Sequence, residues 1–184
     1  MKNFNKIILS LGSNIDDRKL NLENAVREIS KIAKLIKISS IYESDPILYK
    51  DQNKFLNIIL EIEFDSSSIK LLKKIKEIEK RLGRRENFRF GPRVIDIDII
   101  FFNNEISKKE KLTIPHYDWK NRSFVIIPLS ELYDEFVSDD YIIFSRISVF
   151  HSLNSVFRSC CTLNVLPIFC PLITKWRISY YIDT

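Results

Sequence analysis

Apolar residues along the first hundred positions follow two spacings, and the switches between them mark out the elements. Ile7, Ile8, Leu9 and Leu11 form a compact run ending at Gly12-Ser13-Asn14, which reads as a buried strand. Leu22, Ala25, Val26, Ile29, Ile32, Ala33 and Ile36 then fall three and four apart, which predicts a helix capped by Asp16 or Asp17. A second strand is expected from about Ile38 to Glu43, with a break at Pro46 and a polar loop from Asp45 to Lys54. Phe55 to Phe64 alternates cleanly. Leu56, Ile58, Leu60, Ile62 and Phe64 share one face, and Phe55, Asn57, Ile59, Glu61 and Glu63 share the other. Asp65 with Ser66 opens a second helix with the buried stripe Leu71, Leu72, Ile75, Ile78 and Leu82, closed by Gly83. A strand beginning near Ile95 completes the series.

The order is β-α-β-β-α-β, which predicts an α+β protein of ferredoxin-like arrangement with both helices on one sheet face and the other face open to substrates. Alternation puts Phe55 and Asn57 on the open face, and Asp96 and Asp98 are expected there with them. Lys111 to Phe124 reads as an irregular loop, Val125 to Leu129 as an apolar run, and Ser130 to Phe136 as a short helix. From Ser145 onward only five residues are charged and no period emerges. Residues 1–144 are therefore expected to form the working domain, and 145–184 a C-terminal extension with no assigned role.

The strongest chemical signal is the stretch from Arg84 to Phe102. Arg84, Arg85, Arg89 and Arg93 lead through Gly91-Pro92 into Ile95-Asp96-Ile97-Asp98-Ile99. Two carboxylates two residues apart on a strand share a face with Cα atoms roughly 6.5 Å apart. They repel unless something positive sits between them. Mg²⁺ commonly takes one or two carboxylates together with substrate phosphates, and arginines suit phosphate oxygens. Standing alone, an Asp-x-Asp strand reads equally well as a half-solvated edge strand, and the neighbouring arginines tip the balance towards phosphoryl transfer.

Composition adds bounds. At 184 residues, 45% hydrophobic and 29% charged, the chain has a soluble globular profile, and its net charge of +5 suits an anionic substrate or a weak nucleic-acid binder. No secretory signal and no membrane-length apolar run is evident, and Cys160, Cys161 and Cys170 are too few and too late for a disulfide framework. The cytoplasm is the expected compartment. A zinc site from His151 and these cysteines matches no recognised spacing.

Residues 5 to about 137 resemble the 6-hydroxymethyl-7,8-dihydropterin pyrophosphokinases of folate biosynthesis. The matching blocks are Leu11-Gly12-Ser13-Asn14, Tyr42-Glu43-Ser44-Asp45-Pro46, Asp51-Gln52 with Phe55-Leu56-Asn57, Leu82-Gly83-Arg84, Phe90 to Asp98, Ile114-Pro115-His116-Tyr117, and Asn121-Arg122-Ser123-Phe124 with Pro128-Leu129. The resemblance implies transfer of pyrophosphate from ATP to a reduced pterin, with AMP as the leaving product and two Mg²⁺ ions on Asp96 and Asp98. It implies phosphate contacts from Arg84 and Arg93. It also implies pterin contacts from Phe55, Phe124, Asn57, Ser44, Asp45 and Ile47, and ATP contacts from Lys111, Thr113, His116, Tyr117 and Arg122. Glu79 stands where the family has an acid near the metals. A monomer without membrane or nucleic-acid partner is expected. The chain departs from the family at Arg84-Arg85-Glu86, where Arg-x-Arg is common, at Asp45, where proline is frequent, and at Phe90, where tryptophan is frequent. No Gly-x-x-x-x-Gly-Lys loop occurs, so side chains and metal would have to hold the nucleotide. Two alternatives stand beside this reading. One is a nucleic-acid-binding module on the same sheet, which paired acids on the open face disfavour. The other is a catalytically inactive relative.

Overall fold

The computed structural model describes residues 5–47, 49–85, 91–133, 136–138, 141–143 and 174–176. Arg89, Phe90, His151 and the three cysteines lie outside these residues, as does most of the expected C-terminal extension. The described elements are a mixed α/β arrangement in which one antiparallel sheet carries three helices.

Strand β1 (Ile7–Ser13) occupies an interior position, with β4 (Phe55–Glu63) and β5 (Asp96–Phe102) antiparallel on either side. Helix α1 (Arg18–Ser30) starts at Asp17, whose Oδ1 accepts from the Leu20 N–H at 3.0 Å. It stops earlier than its apolar spacing suggests. Ile32 and Ala33 still pack on the core from a turn, and Ile36 belongs to strand β2 (Lys34–Ile38). The single strand expected over Ile38–Glu43 is instead two, β2 and β3 (Ile41–Ser44), which share the outer edge of the long β4. Ser39 bridges the gap. Its Oγ accepts from the Ile59 N–H at 2.9 Å and its own N–H donates to the Ile59 carbonyl at 3.0 Å. The backbone groups of β4 thus stay paired across the break. A three-residue strand, β10 (Thr174–Trp176), pairs with β3 on its other side.

Helix α2 (Ser68–Arg81) is capped by Ser67 rather than Asp65 or Ser66, and Gly83 follows it at φ +91°, a backbone that favours glycine. α1 and α2 cover one sheet face, where Leu9, Leu11, Leu22, Ile29, Ile58, Leu60, Leu71, Ile75, Ile97 and Ile99 form the larger core. The opposite face is not left wholly open. After the hairpin β6 (Ser107–Lys109) and β7 (Leu112–Ile114), a short 3₁₀ turn (Trp119–Asn121) leads into helix α3 (Ser123–Leu132). The segment expected as a loop is therefore partly structured. The apolar run Val125–Leu129 is itself the helix that was expected further on. Pro128 sits inside it, a residue that reads as a breaker when only the sequence is seen.

α3 and Trp119 close half of the second face over Ile8, Ile59, Ile100 and Phe101. A bulge makes this possible: Ile8 pairs with Phe101 but Leu9 with Ile99, so Ile100 is extra and both Ile100 and Phe101 reach the second core. Glu131 anchors the end of α3 by accepting from the Ser40 N–H (2.9 Å), the Ser40 hydroxyl (2.7 Å) and the Tyr42 hydroxyl (2.9 Å). Hairpin β8 (Phe136–Ser138) and β9 (Tyr141–Ile143) follows. Among the described residues no helix is long and apolar enough to cross a membrane.

Candidate active site

Where α3 stops short, the second sheet face drops into a cavity of about 330 Å³. Side-chain size along the strands explains the depression. β1 presents Ile8, Ser10 and Gly12 to this face in order, while β5 presents Ile100, Asp98 and Asp96 and β4 presents Ile59, Asn57 and Phe55. Register then lines up the chemistry. Gly12 is paired with Asn57 on one side and Asp96 on the other, and Ser10 is paired with Asp98. Two strand spacings separate Asn57 from Asp96, roughly 10 Å between Cα atoms.

The acids are held by cations. Arg84 Nη1 stands 2.8 Å from Asp96 Oδ1, and Arg93 Nη1 bonds Asp96 Oδ2. Arg122 Nη1 donates to Asp98 Oδ2 at 3.0 Å, with His116 Nε2 3.9 Å from the same oxygen. These partners offset the repulsion between two carboxylates on one strand face. Behind them Glu79, almost fully buried on α2, accepts from the Ile97 N–H (2.8 Å) and forms ion pairs with Lys76, at 2.8 Å, and with Arg84. It reaches Asp96 only through that arginine and does not line the cavity. His116 Nδ1 accepts from the Asp118 N–H at 3.2 Å, so Nε2 is the ring nitrogen that carries a proton. Burial lowers the imidazole pKa below its ordinary value, outweighing the raising pull of Asp98, and the ring is neutral at pH 7. Burial raises the Asp118 carboxyl, but bonds from Asn121 and Arg122 outweigh it, and the net shift is downward.

At the other end Phe55, Asn57, Ser44, Asp45, Ile47 and Phe124 surround the cavity. Asn57 is buried, and its Nδ2 donates to Ser44 Oγ at 2.9 Å. Asp45 pairs with Lys54 at 3.2 Å across the loop. The Arg122 guanidinium lies 5.7 Å from the Phe124 ring centre, and His116 stacks on the exposed Tyr117 at 4.7 Å.

Most residues singled out by the sequence thus share one cavity. Arg84 touches Asp96 from outside its walls. Lys111 and Thr113 do not line it; Lys111 is exposed, and Thr113 lies on β7 with its hydroxyl towards the Lys109 carbonyl. Sequence reasoning assigned no role to Ser10, Gly12, Asn14 or Asp118. Asn14, buried, accepts from the Arg93 N–H (2.7 Å) and donates to Gln52 Oε1 (2.9 Å) and the Asn53 carbonyl (3.1 Å). It therefore ties the arginine segment to the loop before β4. The alternation of β1 signals Ser10 and Gly12, but a uniformly buried reading of that strand hides it.

A family model for 7,8-dihydro-6-hydroxymethylpterin-pyrophosphokinase (HPPK) matches residues 8–134. The chain is 43% identical over 126 residues to the 2-amino-4-hydroxy-6-hydroxymethyldihydropteridine pyrophosphokinase of Bacillus subtilis, covering 67% of this chain and 75% of that protein. To the protein of the same name from Aquifex aeolicus it is 34% identical over 159 residues, covering 86% and 98%. It also matches the folic acid synthesis protein FOL1 of Dictyostelium discoideum at 41% over 133 residues, 72% of this chain but only 20% of that longer protein. Among solved structures, wild-type Plasmodium falciparum HPPK-DHPS shares the fold with a TM-score of 0.61 at 17% identity, covering 91% of this chain and 48% of that one. With the matched segment running from β1 through α3, the chain belongs to the HPPK family.

Proposed function

We propose that this protein transfers the pyrophosphoryl group of ATP to the hydroxymethyl group of 6-hydroxymethyl-7,8-dihydropterin. The hydroxymethyl oxygen forms a bond to the β-phosphorus as the bond from that phosphorus to the α–β bridging oxygen breaks, and AMP leaves. One observation carries the reading: two strand-borne carboxylates with arginine partners stand in the same cavity as Asn57 and two phenylalanines. The names of the relatives support the substrates.

Asp96 and Asp98 fit a hard divalent cation in donor type and spacing. Among the described residues no group of three or more His, Cys, Asp or Glu side chains gathers to hold one unaided. Phosphate oxygens and water would complete such a shell, which is the habit of Mg²⁺. When bound, Mg²⁺ offsets phosphate charge and polarises the attacking hydroxyl. The protein's own groups do the rest. Arg84, Arg93 and Arg122 are the cations nearest the acids, and their planar forks suit triphosphate oxygens once the carboxylates turn to metal. Neutral His116 offers an Nε2 proton to an oxygen beside Asp98. Tyr117, Lys111 and Thr113 fall on the nucleotide side in this reading, with Lys111 and Thr113 engaging ATP from outside the cavity. Phe55 and Phe124 give the apolar surfaces for a flat ring, and Asn57, with the 44–47 backbone, gives its polar edge.

The sheet order β3-β4-β1-β5 supports a ferredoxin-like core whose second strand is split in two. We further read residues 1–144 as the catalytic domain with a C-terminal extension beyond it, acting as a cytoplasmic monomer without nucleic-acid partner. Incubation with ATP, Mg²⁺ and the reduced pterin, scored for nucleotide product, tests the function. AMP formation that requires the pterin supports it, and ADP formation or no turnover refutes it.

A further inference from the structure

Asp118 is a third carboxylate lining a cavity proposed to receive a triphosphate, and an unpaired acid there would repel that ligand. It is paired. Its Oδ1 accepts from Asn121 Nδ2 at 2.9 Å, and its Oδ2 accepts from Arg122 Nε at 3.3 Å. Protein donors thus take both oxygens, and Asp118 stands apart from the two proposed metal ligands. Its place is fixed by the chain around it. Trp119 is buried in the second core and begins the 3₁₀ turn that brings Arg122 back to Asp118. Arg122 meets its two carboxylates through different atoms. Nη1 donates to Asp98 Oδ2 at 3.0 Å, whereas Nε donates to Asp118. The guanidinium also lies 5.7 Å from the Phe124 ring centre, a contact that aims none of its N–H groups.

We infer that Asp118 is a positioning residue: it keeps hold of Arg122 by Nε when metal takes Asp98, so that the released Nη end of the guanidinium is presented to the triphosphate. The inference rests on the pyrophosphoryl-transfer reading above and deepens it. An arginine gripped through Nε keeps both terminal amino groups available, and that pair forks a phosphate. Without the grip, the long side chain loses its directional partner at the moment metal binds and spreads over its rotamers. The same pairing explains how an anion site tolerates a third acid, since the charge of Asp118 is spent on the arginine rather than on the ligand.

The test is a double-mutant cycle on AMP formation with Asp118→Ala, Arg122→Ala and the two combined, repeated with Asp118→Asn in place of Asp118→Ala. Asp118→Ala should lower kcat/KM for ATP by about 10-fold, the scale of a lost charge-assisted bond, and leave the pterin KM within about 2-fold. Asp118→Asn, which keeps the shape and one acceptor oxygen, should show a smaller loss. In the Arg122→Ala background either loss should shrink to less than about 2-fold, because the arginine through which Asp118 acts is gone. An equal loss in both backgrounds would show a merely structural role and overturn the inference. So would unchanged or improved use of ATP by Asp118→Ala, which would make Asp118 a bystander or a repelling charge. Arg122→Ala with wild-type kinetics also overturns it, whereas wild-type protein that forms no AMP refutes the transfer reading itself.

Discussion

Gly12 and Asn57 face each other across β1 and β4 with no space for a side chain between them. A methyl group at residue 12 would stand 3.1 Å from Asn57 Oδ1 and 3.6 Å from Phe55 Cδ1. Both neighbours belong to the proposed pterin end, and both abut open cavity, so the strain falls on the ligand's seat rather than on the core. Gly12→Ala should raise the pterin KM by about 10-fold, the lower range of overpacking costs, with little change in melting temperature. An unchanged KM would mean that Asn57 and Phe55 do not touch the substrate.

Asp98 is bonded to Arg122 and has no part in either apolar core. Removing its carboxylate deletes one of two candidate metal ligands while leaving β5 paired to β1. Asp98→Ala should lower kcat by on the order of 10³-fold, the scale of losing a charge-stabilising group at a reacting centre. Circular dichroism should be unchanged. Turnover near the wild-type rate would remove Asp98 from the chemistry.

Phe124 opens α3, only partly buried, next to Arg122. Replacing it with alanine removes one apolar wall from the pterin end. Phe124→Ala should weaken pterin binding by about 1–3 kcal/mol and ATP binding far less, as separate titrations can show. Equal losses for both substrates would argue against a ring clamp.

His116 makes the unliganded, metal-free protein sensitive to acid. Burial depresses its folded pKa, Arg122 acts in the same direction, and Asp98, Asp118 and Asp96 oppose. The unfolded chain therefore takes up the proton first as pH falls through about 6.5, and the folded chain only lower down. The stability linked to this group is present above the unfolded value and declines as pH drops towards the folded one. Between pH 7.5 and 5.5, wild type should lose more melting temperature than His116→Gln. Parallel losses would show that the imidazole titrates alike in both states.

Glu131 ties α3 to the junction of β2 and β3 through three hydrogen bonds and does not line the cavity that holds the acids. Glu131→Ala strips these from the Ser40 N–H, the Ser40 hydroxyl and the Tyr42 hydroxyl and should cost about 2 kcal/mol in a urea melt. A loss below about 0.5 kcal/mol would mean that the clamp is replaced by water.

The sequence speaks most clearly where a single strand face decides the pattern. The alternation of Phe55 to Phe64 separates Ile58, Leu60 and Ile62 under the helices from Asn57 on the cavity side, as the core shows. The spacing of Asp96 and Asp98 carries them to the same cavity. Elsewhere long-range pairing decides. Lys34 to Ile38 continues a helical spacing, and only the free edge of β4 draws it into a strand. The bulge at Ile100 is a matter of register between two strands and leaves no local mark. α3 is masked by Pro128 and by apolar residues on more than one side. The contacts of Asn14 with Arg93 and of Arg84 with Asp96 join distant segments, so residue type alone could suggest them but not establish them.

The central claim is that Asp96 and Asp98 exchange their arginine partners for metal that also holds the nucleotide. A crystal structure with Mg²⁺, an α,β-methylene ATP analogue and the pterin tests this most directly. The account predicts both carboxylates on metal, with the freed Arg84, Arg93 and Arg122 on phosphate oxygens and the pterin between Phe55 and Phe124. Carboxylates still bonded to the arginines, with the triphosphate bound elsewhere, would contradict it.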